Sequence, residues 1–235
     1  MIVPERLNLA DAICKRHKDA VTRVALIDVK PAASNTYTYG GLDFVSDKFA
    51  TALAKCGITE GDAVAVILPQ SAALVIAHLG ALKSGAVVVP LSVGLDRTAI
   101  EFVLRDSQAK AVVADFSIRS EIGELIGNTP LFIAGDNQEA NEIKASAKSF
   151  WREINASSSD FTAVETLSTS PAFIFYTAES NSVVHNHASL FEKFDNFDIK
   201  DESVLWPAAD CCSVEVLLDT IYPALWHGRA ITTHS

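Results

Sequence analysis

The sequence predicts an α/β fold, a mixed and largely parallel sheet flanked by helices. Three observations carry the prediction. Between residues 60 and 135, strand-like and helix-like segments alternate three times, the signature of parallel strands joined by crossover helices. The strand-like segments AVAVILP (63–69), AVVVPL (86–91) and AKAVVAD (109–115) are runs made chiefly of apolar residues, as strands covered on both faces must be. Gly57 and Gly85 stand where the preceding helices should stop, the usual place for a residue that adopts positive φ without cost.

The remaining elements follow in order. Asn8 caps a helix over 9–17, with Asp11 in its first turn. VALIDV (24–29) and TYTY (36–39) read as two strands of a hairpin. Gly40-Gly41 opens a helix in which Leu42, Val45, Phe49, Ala52, Leu53 and Cys56 fall on one face. Helices are predicted over 71–84, over 99–107 behind an Asp96 cap, and over 117–126, with a strand at 130–135. Beyond it, the chain becomes polar and Ser/Thr-rich, with a short helix near 150–154. PAFIFYT (171–177) is a strand, followed by a polar turn and a helix near 188–196. SVLWPAA (203–209) reads as a strand, 214–228 as a helix bent at Pro223, and 229–234 as the last strand. The predicted organisation is therefore an α/β subdomain over 1–150, a polar connection over 151–170, and a partial second α/β subdomain over 171–235.

Charge excludes whole classes of partner. The 235 residues carry 19 Lys and Arg against 29 Asp and Glu, a net charge of −10, the opposite of the basic footprint that nucleic acid or an anionic membrane surface requires. No apolar run of membrane-spanning length occurs, and the start MIVPERLNLAD lacks the basic end and apolar core of a signal peptide. A cytoplasmic protein is the expectation. Cys14, Cys56, Cys211 and Cys212 form no C-x-x-C pair and read as reduced core thiols.

Several phosphate and nucleophile motifs are missing. No G-x-G-x-x-G and no G-x-S-x-G occurs. Gly80 and Gly85 have P-loop spacing, but Ala86-Val87 follows in place of Lys and Ser/Thr. His185-Asn186-His187 places two imidazoles at i and i+2, a pair without the third ligand that zinc needs, so no metal site is expected. Asp210-Cys211-Cys212 lies ahead of the 214–228 helix, with Asp210 placed to cap it, and the nearby Glu215 and Asp219 work against a reactive thiolate.

Three longer blocks then match a known pattern in order and spacing: TYTYGGLDFVSDKFATALAKCGITEGDAVAVILPQS (36–71), GALKSGAVVVPLSVGLDRTAIEFVLRDSQAKAVVAD (80–115) and SVLWPAADCCSVEVLLDTIYPALWHGRAI (203–231). With these blocks the chain resembles the N-terminal part of the adenylate-forming acyl-CoA synthetase and AMP-dependent ligase superfamily. The resemblance implies the first half of that family's large N-terminal domain, and a family activity that joins an acid to a thiol through an acyl-adenylate. It also implies a glycine-rich phosphate loop after strand 171–177. The family form is Tyr-Thr-Ser-Gly-Thr-Thr-Gly-x-Pro-Lys-Gly, followed by a His-x-His. Here Tyr176, Thr177 and His185-Asn186-His187 match, and between them stands Ala178-Glu179-Ser180-Asn181-Ser182-Val183-Val184, a shorter stretch with neither glycine nor lysine.

A phosphate loop works because glycines let backbone N–H groups converge on oxyanions and a lysine adds charge. The resemblance therefore leaves Thr177 and Ser180 as a weak cofactor-binding remnant and no catalytic residue. It implies a substrate pocket at Tyr176, Trp206, Asp210 and Cys211, where strand 171–177 would meet segment 206–214; the plainer alternative is that Tyr176 and Trp206 fill core space. The family's magnesium motif, ribose-binding aspartate and C-terminal lid find no match. The expected function is that of a truncated, acyl-CoA synthetase-like protein, non-catalytic alone. The alternatives are a subunit of a split ligase and a non-functional remnant. No cofactor is expected, with ATP or AMP and magnesium bound only if the family site survives. A homodimer or a partner protein is expected to cover an exposed apolar face.

Overall fold

Local chemistry sets the first elements. The structure, a computed structural model, describes residues 2–31, 34–135, 147–177, 179–197, 204–207 and 212–234. Asn8 caps α1 (Leu9–Lys15), its side-chain oxygen accepting from the N–H groups of Ala10 and Asp11, while its amide donates to the carbonyls of Leu82 and Val164. One residue thus starts a helix and ties it to two distant segments. β1 (Val24–Val29) and β2 (Asn35–Thr38) pair antiparallel. The predicted second strand ends one residue early: the Thr38 hydroxyl accepts from Gly41 N–H, so Tyr39 already belongs to α2 (Tyr39–Lys55). Gly57 follows that helix at φ +82.

The predicted alternation is present. It runs β3 (Ala63–Ile67), α3 (Ala72–Lys83), β4 (Val87–Leu91), α4 (Arg97–Asp106), β5 (Ala111–Asp115), α5 (Arg119–Leu125) and β6 (Leu131–Ala134). Then come β7 (Lys148–Ser149), α6 (Phe150–Ala156), β8 (Pro171–Tyr176), β9 (Ser182–Asn186), α7 (His187–Asp195) and, near the end, α8 (Val214–Val216), α9 (Tyr222–Trp226) and β10 (Ile231–His234). Among the described residues, one sheet has seven strands in the order β7-β6-β5-β3-β4-β8-β9, and a smaller one has the order β10-β1-β2. In the larger sheet, every pairing but β8 with β9 is parallel. Each sheet draws strands from both sides of the 151–170 connection. β8 meets β4 at the single register position Val88↔Phe173, so Pro90, which has no N–H to give, lies beyond that pairing.

Apolar runs become two cores because successive side chains of a strand point to opposite faces. Val64 and Val66 enter the core shared with α1, α2 and α3, whereas Ala65 and Ile67 enter the one closed by Ile100 and Val103 of α4 and Ile122 of α5. Among the described residues, no helix is long and apolar enough to cross a membrane.

Four expectations need correction. The polar turn after β8 is instead a second strand, β9, whose Ser182, Val183 and Val184 are exposed; its conformation comes from pairing, not from burial. The 203–209 strand reduces to one bridge, Leu205↔Ile231, with 203 and 208–209 outside the described residues. Ser213 caps α8, accepting from Val216 N–H, so Asp210 is not the cap. The bend near Pro223 is taken up by a π-helical turn, Leu217–Ile221, directly before α9, a known way to make room for a residue that cannot donate an N–H.

Buried polar groups are the costly part of this interior. Lys83 has no exposed side-chain surface, and its ammonium lies 2.5 Å from Asp43 Oδ1 and 2.6 Å from Asp47 Oδ1. The Cys14 thiol, pushed up to about 12 by burial, stays neutral in the same core. His78 and His187 are also fully buried. His78 Nδ1 meets the Tyr222 hydroxyl at 2.8 Å, and His187 Nδ1 accepts from Leu9 N–H at 3.3 Å. Burial lowers their pKa values from 6.5 to about 3 and about 4.

Three outcomes are expected. Lys83→Met leaves two carboxylates near one another without their cation and should cost about 3–5 kcal/mol in urea unfolding; adding Asp43→Asn and Asp47→Asn should recover most of the loss. Gly80→Ala would bring a Cβ within 2.7 Å of Phe49 Cδ1 and 3.0 Å of the Ser46 carbonyl, an overpacking that should cost about 1–3 kcal/mol. Both histidines take up protons more readily unfolded than folded, so the stability they contribute is complete above about pH 6.5 and is lost as pH falls toward their folded values. Between about pH 6.5 and pH 5, above the carboxylate range, stability should fall by up to about 1.4 kcal/mol per pH unit for each imidazole. Urea midpoints measured across that range should fall less steeply in His78→Gln.

Candidate functional site

The segment with the strongest functional expectation is the β8–β9 hairpin. Its register is fixed on both sides of the turn, with Phe173↔His185, Ile174↔Val184, Phe175↔Val183 and Tyr176↔Ser182 as partners. The loop between the last pair closes on itself. Thr177 N–H donates to the Asn181 carbonyl at 2.9 Å, Ser180 N–H to the Thr177 carbonyl at 2.9 Å, and Asn181 N–H to the Thr177 hydroxyl at 3.4 Å. Ser180 holds φ +65, a left-handed conformation that glycine adopts far more easily. Thr177 and Ser180 are therefore brought together, but three backbone N–H groups of the turn are spent inside it. Glu179, Ser180 and Asn181 are exposed, and a carboxylate 4 Å from a phosphate charge repels it by about 1 kcal/mol at water-like screening.

The other predicted residues lie on different elements. The Tyr176 hydroxyl donates to Asp106 Oδ2 at 2.7 Å, and its ring meets Phe102 of α4 edge-on at 6.2 Å. Burial, and after it Asp106, hold that phenol above its ordinary pKa. Trp206 is 62% exposed and packs its ring on His234 at 5.5 Å, so it does not fill core space. Beside it, the Pro207 carbonyl accepts from the Gln70 amide at 3.1 Å, and the Cys212 thiol donates to the Leu68 carbonyl. These bonds seat the segment over the carboxyl end of β3. Asp210 and Cys211 lie outside the described residues.

The two imidazoles of His185-Asn186-His187 part company. His185 is a strand residue whose ring contacts Phe175 at 5.6 Å, while His187 begins α7 and turns into the core. Among the described residues, no three His, Cys, Asp or Glu side chains gather as a metal site. Sequence reasoning missed the Tyr176–Asp106 pair and the role of Asn181 in closing the turn. The pair spans two elements and leaves no local signal. The Asn181 contact follows from loop length, which the missing residues between Thr177 and His185 already indicated.

Comparisons with known proteins agree with this architecture. The family described as AMP-binding enzyme matches residues 13–233. Acetyl-coenzyme A synthetase of Pseudoalteromonas translucida is 29% identical over 87% of this chain and 36% of its own length. A long-chain-fatty-acid–CoA ligase of Mycobacterium tuberculosis is 28% identical over 69% of this chain and 32% of its own. The chain thus spans about a third of the length of these curated relatives. Among solved structures, an acyl-CoA synthetase of Brucella canis superposes with a TM-score of 0.89 at 23% identity, covering 97% of this chain and 43% of that one. A benzoate CoA ligase of Burkholderia xenovorans superposes at 0.82 and 22% identity, covering 97% and 45%. The fold is that of the N-terminal part of acyl-CoA synthetases, and with the family match running through nearly its whole length the chain belongs to the AMP-binding enzyme family.

Proposed function

We propose that this chain is an acyl-CoA synthetase-like protein that forms no acyl-adenylate by itself. One observation carries the reading: where the family resemblance calls for a phosphate loop, residues 176–182 form a hairpin turn that uses the N–H groups of Thr177, Ser180 and Asn181 for its own closure. Adenylate formation depends on preorganised donors around the transferring phosphate. A triphosphate reaching this turn meets an exposed carboxylate, Glu179, and the hydroxyls of Thr177 and Ser180, with no lysine between Thr177 and His185. The surrounding scaffold is intact, since β8 remains paired to β4 and β9. The change is therefore confined to the turn, and it leaves a folded member of the family with a weakened grip on nucleotide phosphate.

The test is a thermal-shift and pyrophosphate-release assay on the whole chain with magnesium-ATP, AMP and a non-hydrolysable acyl-adenylate analogue. A ligand at 100 times its dissociation constant stabilises by about 2.7 kcal/mol, several degrees for a domain of this size. The expected result is no stabilisation by magnesium-ATP and no pyrophosphate released with acetate or fatty acids. A saturable magnesium-ATP shift that Thr177→Val weakens, or pyrophosphate release above the no-enzyme rate, would overturn the proposal.

A further inference from the structure

A second concave region lies away from the hairpin and shares no residue with it. It is a cleft of about 640 Å³ outside the carboxyl ends of β3, β5 and β6, roofed by the end of β1, the start of β2 and the first half of α6. Its position has a topological cause. After β3 the chain passes through α3 on one face of the large sheet, and after β5 it passes through α5 on the other. The two connections therefore diverge between adjacent strands, which is where open α/β sheets leave a ligand crevice. The volume lies within the range of small-molecule sites.

The lining has a definite chemistry. Tyr37 and Trp151, both half-buried, and Pro69 supply aromatic and apolar surface. Asp28, Lys30 and Asp115 supply charge. Asp28 is 2% exposed and already satisfied: its Oδ1 accepts from Ala72 N–H at 3.1 Å and from the Thr233 hydroxyl at 2.7 Å, and Lys30 stands 3.7 Å from its Oδ2. Lys30 thus balances Asp28. Asp115, whose Oδ1 accepts from the N–H and hydroxyl of Ser117, is the surplus negative charge at the end of β5. Aromatic surface beside an uncompensated carboxylate suits a flat ring that carries a cation, because ring faces and carboxylate both attract positive charge.

We infer that this cleft is a binding site in its own right, taking a planar aromatic or heteroaromatic amine of small-molecule size, with its ring against Tyr37 and Trp151 and its ammonium held by Asp115. The site is independent of the phosphate-loop reading and does not require nucleotide.

Three indoles with one ring and different charge test it: tryptamine, tryptophol and indole-3-acetate, titrated at millimolar concentration against the whole chain by thermal shift and by ligand-observed NMR. Tryptamine should bind most tightly and indole-3-acetate least. Asp115→Asn keeps an acceptor for Ser117, and should weaken tryptamine about three- to fivefold, the size of a partly exposed charge pair, while leaving tryptophol unchanged. Trp151→Leu should weaken all three, and Trp151→Phe should restore them. Absence of a saturable response to any of the three overturns the assignment. So does an order in which indole-3-acetate binds best, or binding that both Asp115→Asn and Trp151→Leu leave unchanged.

Discussion

The fold turns on one buried cation. α3 is covered along its whole length, with every residue from Ala72 to Lys83 buried. A helix covered all round has no polar face on which to place a charge, yet its last residue is a lysine. The ammonium is tolerable only because α2 presents Asp43 and Asp47, one turn apart, to the same point. That requirement fixes how α2 lies along α3, and Gly80 lets Phe49 of α2 approach closely. Asn8 then reaches from α1 to the Leu82 carbonyl at the same helix end. Three helices and the strands beneath them are thus oriented by polar bonds gathered at one end of α3.

The same end of the molecule explains how the small sheet attaches to the large one. Asp28 of β1 accepts from the first N–H of α3 and from Thr233 of β10, so a single buried carboxylate joins both sheets. Tyr39 performs the matching task elsewhere, its hydroxyl lying 2.9 Å from the carbonyls of Leu225 and Arg229 at the carboxyl end of α9. Two polar residues at the borders of the β1–β2 hairpin therefore hold the C-terminal segment in place, and the crevice outside β3 and β5 is the space between these attachments.

Much of this was legible in the sequence, because it is written in local chemistry. Apolar runs marked β3, β4 and β5 as two-sided strands, and all are. Asn8 and Asp96 do cap helices, and Gly57 and Gly85 do take positive φ. What escaped was decided by distant partners. Ser182–Asn186 has no buried face that would mark it as a strand, and becomes β9 only because β8 supplies a ladder. Trp206 looks like a core residue by type, but its segment is held by backbone carbonyls that accept from Gln70, which leaves the ring outside. Lys83 carries no sequence sign of burial at all, since its partners lie 40 and 36 residues away.

The hairpin shows why the altered turn is a matter of register rather than of one residue. Tyr176↔Ser182 is the last pair before the loop, so the chain must reverse within the residues between. A reversal that short satisfies its own N–H groups, because donors and acceptors already face each other across it. A glycine at Ser180 would relax the φ of +65, and removal of Glu179 would lift the repulsion. Neither change frees the N–H groups of Thr177 and Asn181, which are bound by the closure itself. Opening a cradle for an anion needs extra chain between two fixed strands, enough for the loop to bow outward while β8 keeps its place beside β4.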